Sequence, residues 1–130
     1  MRREDSQYPA DWLRIAEKDL TRAGHLLSIH DAEAAGFYLQ QAVEKFLKAF
    51  LLSTGWKLER VHDLEALLNH ALRHESSLES FRAVCQKITG FYVLERYPTI
   101  TDDELTDDDV RQALTQVNTL IEKIRTAIKG

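Results

Sequence analysis

Cysteine is nearly absent from this 130-residue chain: Cys85 stands alone, so no internal disulfide can form and the fold has to be held by its core. Proline and glycine are scarce as well, at 2 and 5 residues. A β-sandwich or barrel needs turn residues at each strand reversal, and this shortage excludes one. Positive charge is not in excess: 17 Lys and Arg stand against 21 Asp and Glu, a net charge of −4. A protein that coats nucleic acid by bulk charge is therefore excluded, and any such contact must be a local cationic site on an acidic body. No apolar run approaches the roughly 18 residues that cross a bilayer. The start, Met1-Arg2-Arg3-Glu4-Asp5, leads into polar residues, unlike a signal peptide. The expected compartment is the cytoplasm, with no membrane contact. Neither a phosphate-cradling Gly-rich loop nor a Cys/His zinc cluster is present.

What is abundant is Leu, Ala, Glu, Lys, Arg and Gln, the residues that favour helix. The length fits one domain, 1–130 with its core over about 11–128, burying roughly two-thirds of the unfolded surface. Five helical segments are expected. The first runs from about Asp11 to Ser28, where Trp12, Ile15, Ala16, Ala23, Leu26 and Leu27 share one stripe at the helical period. Pro9 marks its start and Asp11 is its expected cap. Asp19 falls within that stripe, and a carboxylate facing a core is costly unless paired. The second runs from about Asp31 to Ser53 and is apolar over well over half its circumference, from Phe37 to Leu52. Such a helix is either the centre of a bundle or an element shared at a dimer interface. Gly55 supplies its stop.

A short third helix follows His62 and Asp63, with Leu64, Leu67, Leu68, Ala71 and Leu72 on one side; Asp63 suits the free N–H groups at its start. The fourth spans about Ser77 to Glu95 and carries Cys85 on its apolar face, where a buried, inert thiol is expected. It stops before Arg96-Tyr97-Pro98, because Pro disfavours helix in the residue before it. The fifth spans about Asp107 to Ile128, and Thr106 with Asp109 resembles a capping box with Asp in the Glu position. Short connections make neighbours antiparallel, so the expected fold is an all-α, up-and-down bundle of four to five helices.

The polar remainder of the second helix is a single stripe of Gln40, Gln41, Glu44, Lys45 and Lys48. Its residues at 41, 44, 45 and 48 have the spacing of a solvated charged face, or of a polar channel between two protomers in which Lys45 and Lys48 would meet phosphate. Arg96 and Tyr97 also carry two readings. One is a helix-ending turn in which Arg96 pairs with Asp19 or Glu44; the other is a nucleotide site, with Arg96 on a phosphate and Tyr97 stacked on a base. Asp102, Asp103, Glu104, Asp107, Asp108 and Asp109 lack Ca²⁺-loop spacing and suit a helix start, so no metal site is expected.

Four pieces of this sequence resemble the HEPN domain family: Gln40-Gln41-Ala42-Val43-Glu44-Lys45-Phe46-Leu47-Lys48-Ala49, His62-Asp63-Leu64, Tyr92 through Arg96-Tyr97-Pro98, and the acidic Asp19 of the first helix. They occur in the family's order across nearly the whole chain. The resemblance implies a helical bundle that forms a homodimer around its long helices. Many HEPN proteins are encoded beside a minimal nucleotidyltransferase as a toxin–antitoxin pair, some are RNases, and others bind nucleotides such as ATP or GTP. The implied nucleotide or phosphate site is Arg96, Tyr97, Lys48, Lys45 and Gln41. Asp19, Glu44, His62, Asp63 and Tyr92 form the polar seam around it, and no other cofactor is expected.

The nuclease branch of the family uses an Arg followed a few residues later by a His. Histidine suits proton transfer near neutral pH and arginine holds the charged phosphorane. Here the positions after Arg96 where that His would fall are Thr101, Asp102 and Asp103, and all five histidines precede Arg96. The expected protein is therefore a binding module without that site. The alternatives are a divergent metal-independent endoribonuclease toxin, in which His62 would act across subunits, and a pure protein-interaction module.

Overall fold

Long runs of helix formers without internal proline fold as the periodicity implies. A computed structural model describes residues 6–96 and 104–129, with side chains for all of these except 92–96. The helices are α1 (Pro9–Ser28), α2 (Ala32–Ser53), α3 (Leu64–Leu72), α4 (Arg82–Arg96) and α5 (Asp107–Lys129). The chain is an all-α, up-and-down bundle, with no strand among the described residues.

Two local expectations are corrected. Asp11 does not cap α1: the helix begins at Pro9, whose missing N–H would have no intrahelical partner at that position anyway, and its N-cap residue, Tyr8, makes no side-chain cap. Asp11 sits instead in the first turn, accepting from Ser6 Oγ at 2.7 Å and Arg14 at 3.1 Å. The expected fourth helix is also split. Ser76–Phe81 forms a 3-10 turn, and regular α-helix starts only at Arg82.

The other signals act where they were read. Asp31 caps α2 by accepting from the Ala34 N–H, and Asp63 caps α3 by accepting from Glu65. Thr106 and Asp109 form the reciprocal capping box of α5, both bonds 3.1 Å long. Hydrogen bonding from the Thr106 N–H helps hold the Asp109 carboxyl below its usual range. Gly55, at φ 94, ends α2: its N–H reaches the Leu52 carbonyl while that of Trp56 reaches Leu51, the paired bonds of a Schellman motif. The same pattern ends α1, where His30 takes the left-handed position at φ 62. The exposed His30 ring then meets Asp107 Oδ2 at 2.6 Å, joining this turn to the start of α5.

α2 is the axis of the bundle. It buries fifteen of its 22 residues, far more than a one-faced surface helix does, and packs against α1, α3, α4 and α5. The choice between a central helix and a shared dimer element is thereby decided: its apolar surplus is covered within one chain. Close packing at its N-terminal end depends on Gly36, where an added Cβ would lie 2.8 Å from Leu105 Cδ2 and 3.1 Å from Phe91 Cβ. At the other end, Arg125 of α5 grips Glu17 of α1 with two bonds, of 2.7 and 2.5 Å, and lies over the Phe46 ring. Cys85 is fully buried, and burial pushes its thiol up to about 12, so it is a small hydrophobe as expected.

These contacts separate the helical glycines. Gly36→Val should lower stability by about 2 kcal/mol through overpacking. Gly24→Ala, on an open face of α1 with nothing within 4 Å of an added Cβ, should raise it by up to about 1 kcal/mol through helix propensity. Urea denaturation of the two variants checks both signs.

Candidate functional site

The polar stripe of α2 is not a solvated surface. Gln40 and Glu44 are each 4% exposed and Lys48 is 2% exposed, so an ammonium and a carboxylate lie inside the bundle and must neutralise each other. Lys48 Nζ donates to Glu44 Oε2 at 3.0 Å, one helical turn away. His62, from the segment leading into α3, brings Nδ1 to 3.1 Å from the same carboxylate oxygen and 3.5 Å from Lys48 Nζ. The Lys48 ammonium also lies 5.2 Å from the Trp12 ring centre, a cation–π arrangement. Beside this pair, Asp19 of α1, 2% exposed, binds Lys45 Nζ at 2.5 Å and Arg22 at 2.8 Å. The carboxylate in the apolar stripe of α1 is thus paired with two cations.

These groups line one groove of about 700 Å³. α1 contributes Trp12; α2 contributes Phe37, Gln40, Gln41, Glu44, Lys45 and Lys48; His62 and Asp63 close one side and Thr89 of α4 the other. The groove has a neighbouring recess of about 200 Å³ lined by Leu58, Glu59 and Arg60, which it meets at Trp12, Lys48 and His62. Trp12 is held by its own Nε1–H, which donates to the Ser6 carbonyl at 2.8 Å. On the groove wall Gln41 Nε2 donates to Gln40 Oε1 at 2.7 Å.

Of the residues singled out from the sequence, Gln41, Glu44, Lys45, Lys48, His62 and Asp63 come together here, and Asp19 stands behind Lys45. Both lysines expected to meet phosphate have their ammonium groups in ion pairs. Arg96 is the last residue of α4, seven positions beyond Thr89. Its side chain, that of Tyr92, and the whole of Tyr97 lie outside the described residues, as do Asp102 and Asp103. Among the described residues no group of His, Cys, Asp or Glu is arranged to hold a metal ion, and no helix is long and apolar enough to cross a membrane.

Sequence reading missed Trp12, Phe37 and Thr89 as groove residues. Trp12 was legible only as core, and it does pack with Ala49 and Leu52 in a small apolar cluster. The available signal was that Trp12 and Asp19 stand seven residues apart on one face of α1, opposite two lysines of the antiparallel α2.

The arrangement of a central helix with a polar seam, flanked by the His62-Asp63 helix start, agrees with a family comparison: the HEPN domain model matches residues 9–127. The chain belongs to the HEPN domain family. Its fold is similar to the crystal structure of TT1696 from Thermus thermophilus, with a TM-score of 0.76 and 23% identity over 92% of this chain and 97% of that one. No curated protein matches the chain.

In this HEPN chain the buried pair makes a distinctive stability prediction. Lys48→Met leaves the Glu44 carboxylate buried without its main partner and should cost about 3 kcal/mol, whereas Glu44→Leu combined with Lys48→Met should recover most of that loss. Urea denaturation at neutral pH of the single and double variants reads the difference. A double variant no more stable than the single one would show that the lost energy lies elsewhere than in the unpaired charge.

Proposed function

We propose that this HEPN chain is a non-catalytic module that binds a nucleotide or an RNA end in the groove beside α2, acting as a homodimer. The observation that carries the reading is the makeup of the groove, in which aromatic rings (Trp12, Phe37) and side-chain amides (Gln40, Gln41) line one concave site of about 700 Å³. That volume is within the range of about 300–1,000 Å³ typical of small-molecule sites, and rings with nearby amides suit a base that stacks and hydrogen-bonds. Arg96 and Tyr97 are the phosphate and stacking partners that the family resemblance implies. The lack of a histidine after Arg96 supports binding over RNA cleavage. Pairing with a minimal nucleotidyltransferase, of toxin–antitoxin type, belongs to the same proposal, with the groove meeting the nucleotide that such an enzyme handles.

Titration of the pure protein with ATP, GTP and a short RNA, alone and with a minimal nucleotidyltransferase, tests this. Saturable binding is expected, lost in Arg96→Ala while helical content and melting stay unchanged, with gel filtration giving a dimer. Binding to none of these ligands in either setting contradicts the proposal, and a monomer at micromolar concentration removes the homodimer.

A further inference from the structure

The charges in the groove cancel locally. Lys45 is bound to Asp19 and Lys48 to Glu44, so neither lysine is an uncommitted cation for a phosphate. The carboxylates they serve are themselves nearly fully buried, 2% exposed for Asp19 and 4% for Glu44. An anion that drew either ammonium away would weaken the neutralisation of a buried carboxylate, which is costly.

Beside these closed pairs lies an open one. Gln40 and Gln41 are joined by one amide–amide hydrogen bond, and both line the groove. The bond uses the Gln40 carbonyl and the Gln41 amino group. Among the described residues, the Gln40 amino group and the Gln41 carbonyl make no further bond. Turning both amides over exchanges the roles but still leaves one amino group and one carbonyl. A free donor and a free acceptor on one amide pair suit the edge of a nucleobase, which offers an acceptor next to a donor, better than a phosphate, which only accepts. Gln40 is 4% exposed, so this edge is positioned by the packing of α2 and not by a free surface side chain.

From this juxtaposition we infer that the groove is a nucleobase subsite: the Gln40–Gln41 amide pair reads the base edge, and the ribose and phosphates lie outside the paired lysines. The inference rests on the nucleotide reading above and specifies which part of that ligand the groove holds.

Calorimetric titration of the full chain with adenosine, guanosine, cytidine and uridine, with ATP and GTP, and with inorganic triphosphate, at low and high NaCl, tests it. At least one nucleoside should bind saturably, its triphosphate gaining only what Arg96 adds, because both groove lysines are already in ion pairs. Its affinity should change less than about twofold with salt, since screening acts on charged partners. Gln41→Ala, which keeps a good helix former on α2, should weaken nucleoside and nucleotide alike by about tenfold, the upper end of the loss expected for one hydrogen bond of a base contact, with melting unchanged. Binding of triphosphates but not of any nucleoside, collapsing in salt and competed by inorganic triphosphate, overturns the inference and leaves nucleotide binding standing. A Gln41→Ala variant that binds like the parent overturns the edge-reading role. Binding of no nucleoside and no nucleotide overturns both the inference and the reading beneath it.

Discussion

The ion pair between Lys48 and Glu44 is the constraint from which much of this molecule follows. A helix apolar on most of its surface is easily buried, but two charges within it can be buried only together and only in one geometry. Placing them one helical turn apart on α2 lets each neutralise the other without help from a distant element. The neighbours then arrange around the pair: Trp12 of α1 lies against the ammonium and His62 reaches the carboxylate. In the same turn of α2, Lys45 pairs with Asp19 and ties α1 to α2. The groove is what remains between these neighbours, so its position follows from how the buried charges are paired.

Much of the fold was legible from the residues because its signals are local. The apolar circumference of α2 requires cover on every side, and α1, α3, α4 and α5 supply it. Asp31, Asp63, Gly55 and the Thr106–Asp109 box act within a turn of their own position, where the chain itself brings the partners together. Asp11 was misread because Pro9 and Asp11 offer two starts for one helix, and the Ser6 hydroxyl that engages Asp11 comes from outside the periodic segment. The 3-10 turn over Ser76–Phe81 has no mark in the apolar pattern, which runs unbroken from Leu78 to Phe91.

The site was only half legible, for a different reason. Periodicity shows that Gln41, Glu44, Lys45 and Lys48 share a face, but not whether that face meets water. Nor does it show which carboxylate each lysine takes, because Asp19 is 26 positions from Lys45 in the chain. Trp12 had one clear role, as core, and its second role as a groove wall exists only once α2 lies beside it. The family likeness supplied the order of the pieces, and the coordinates supplied their pairing.

Lysine-selective NMR at neutral pH tests the buried pair most directly, by asking whether Lys48 carries a charged ammonium shielded from water. The account predicts one ammonium correlation that persists where those of exposed lysines are lost to exchange, and that disappears or shifts strongly in Glu44→Gln. A Lys48 signal that exchanges as fast as those of surface lysines, unaltered by Glu44→Gln, would contradict the buried pair and the groove built around it.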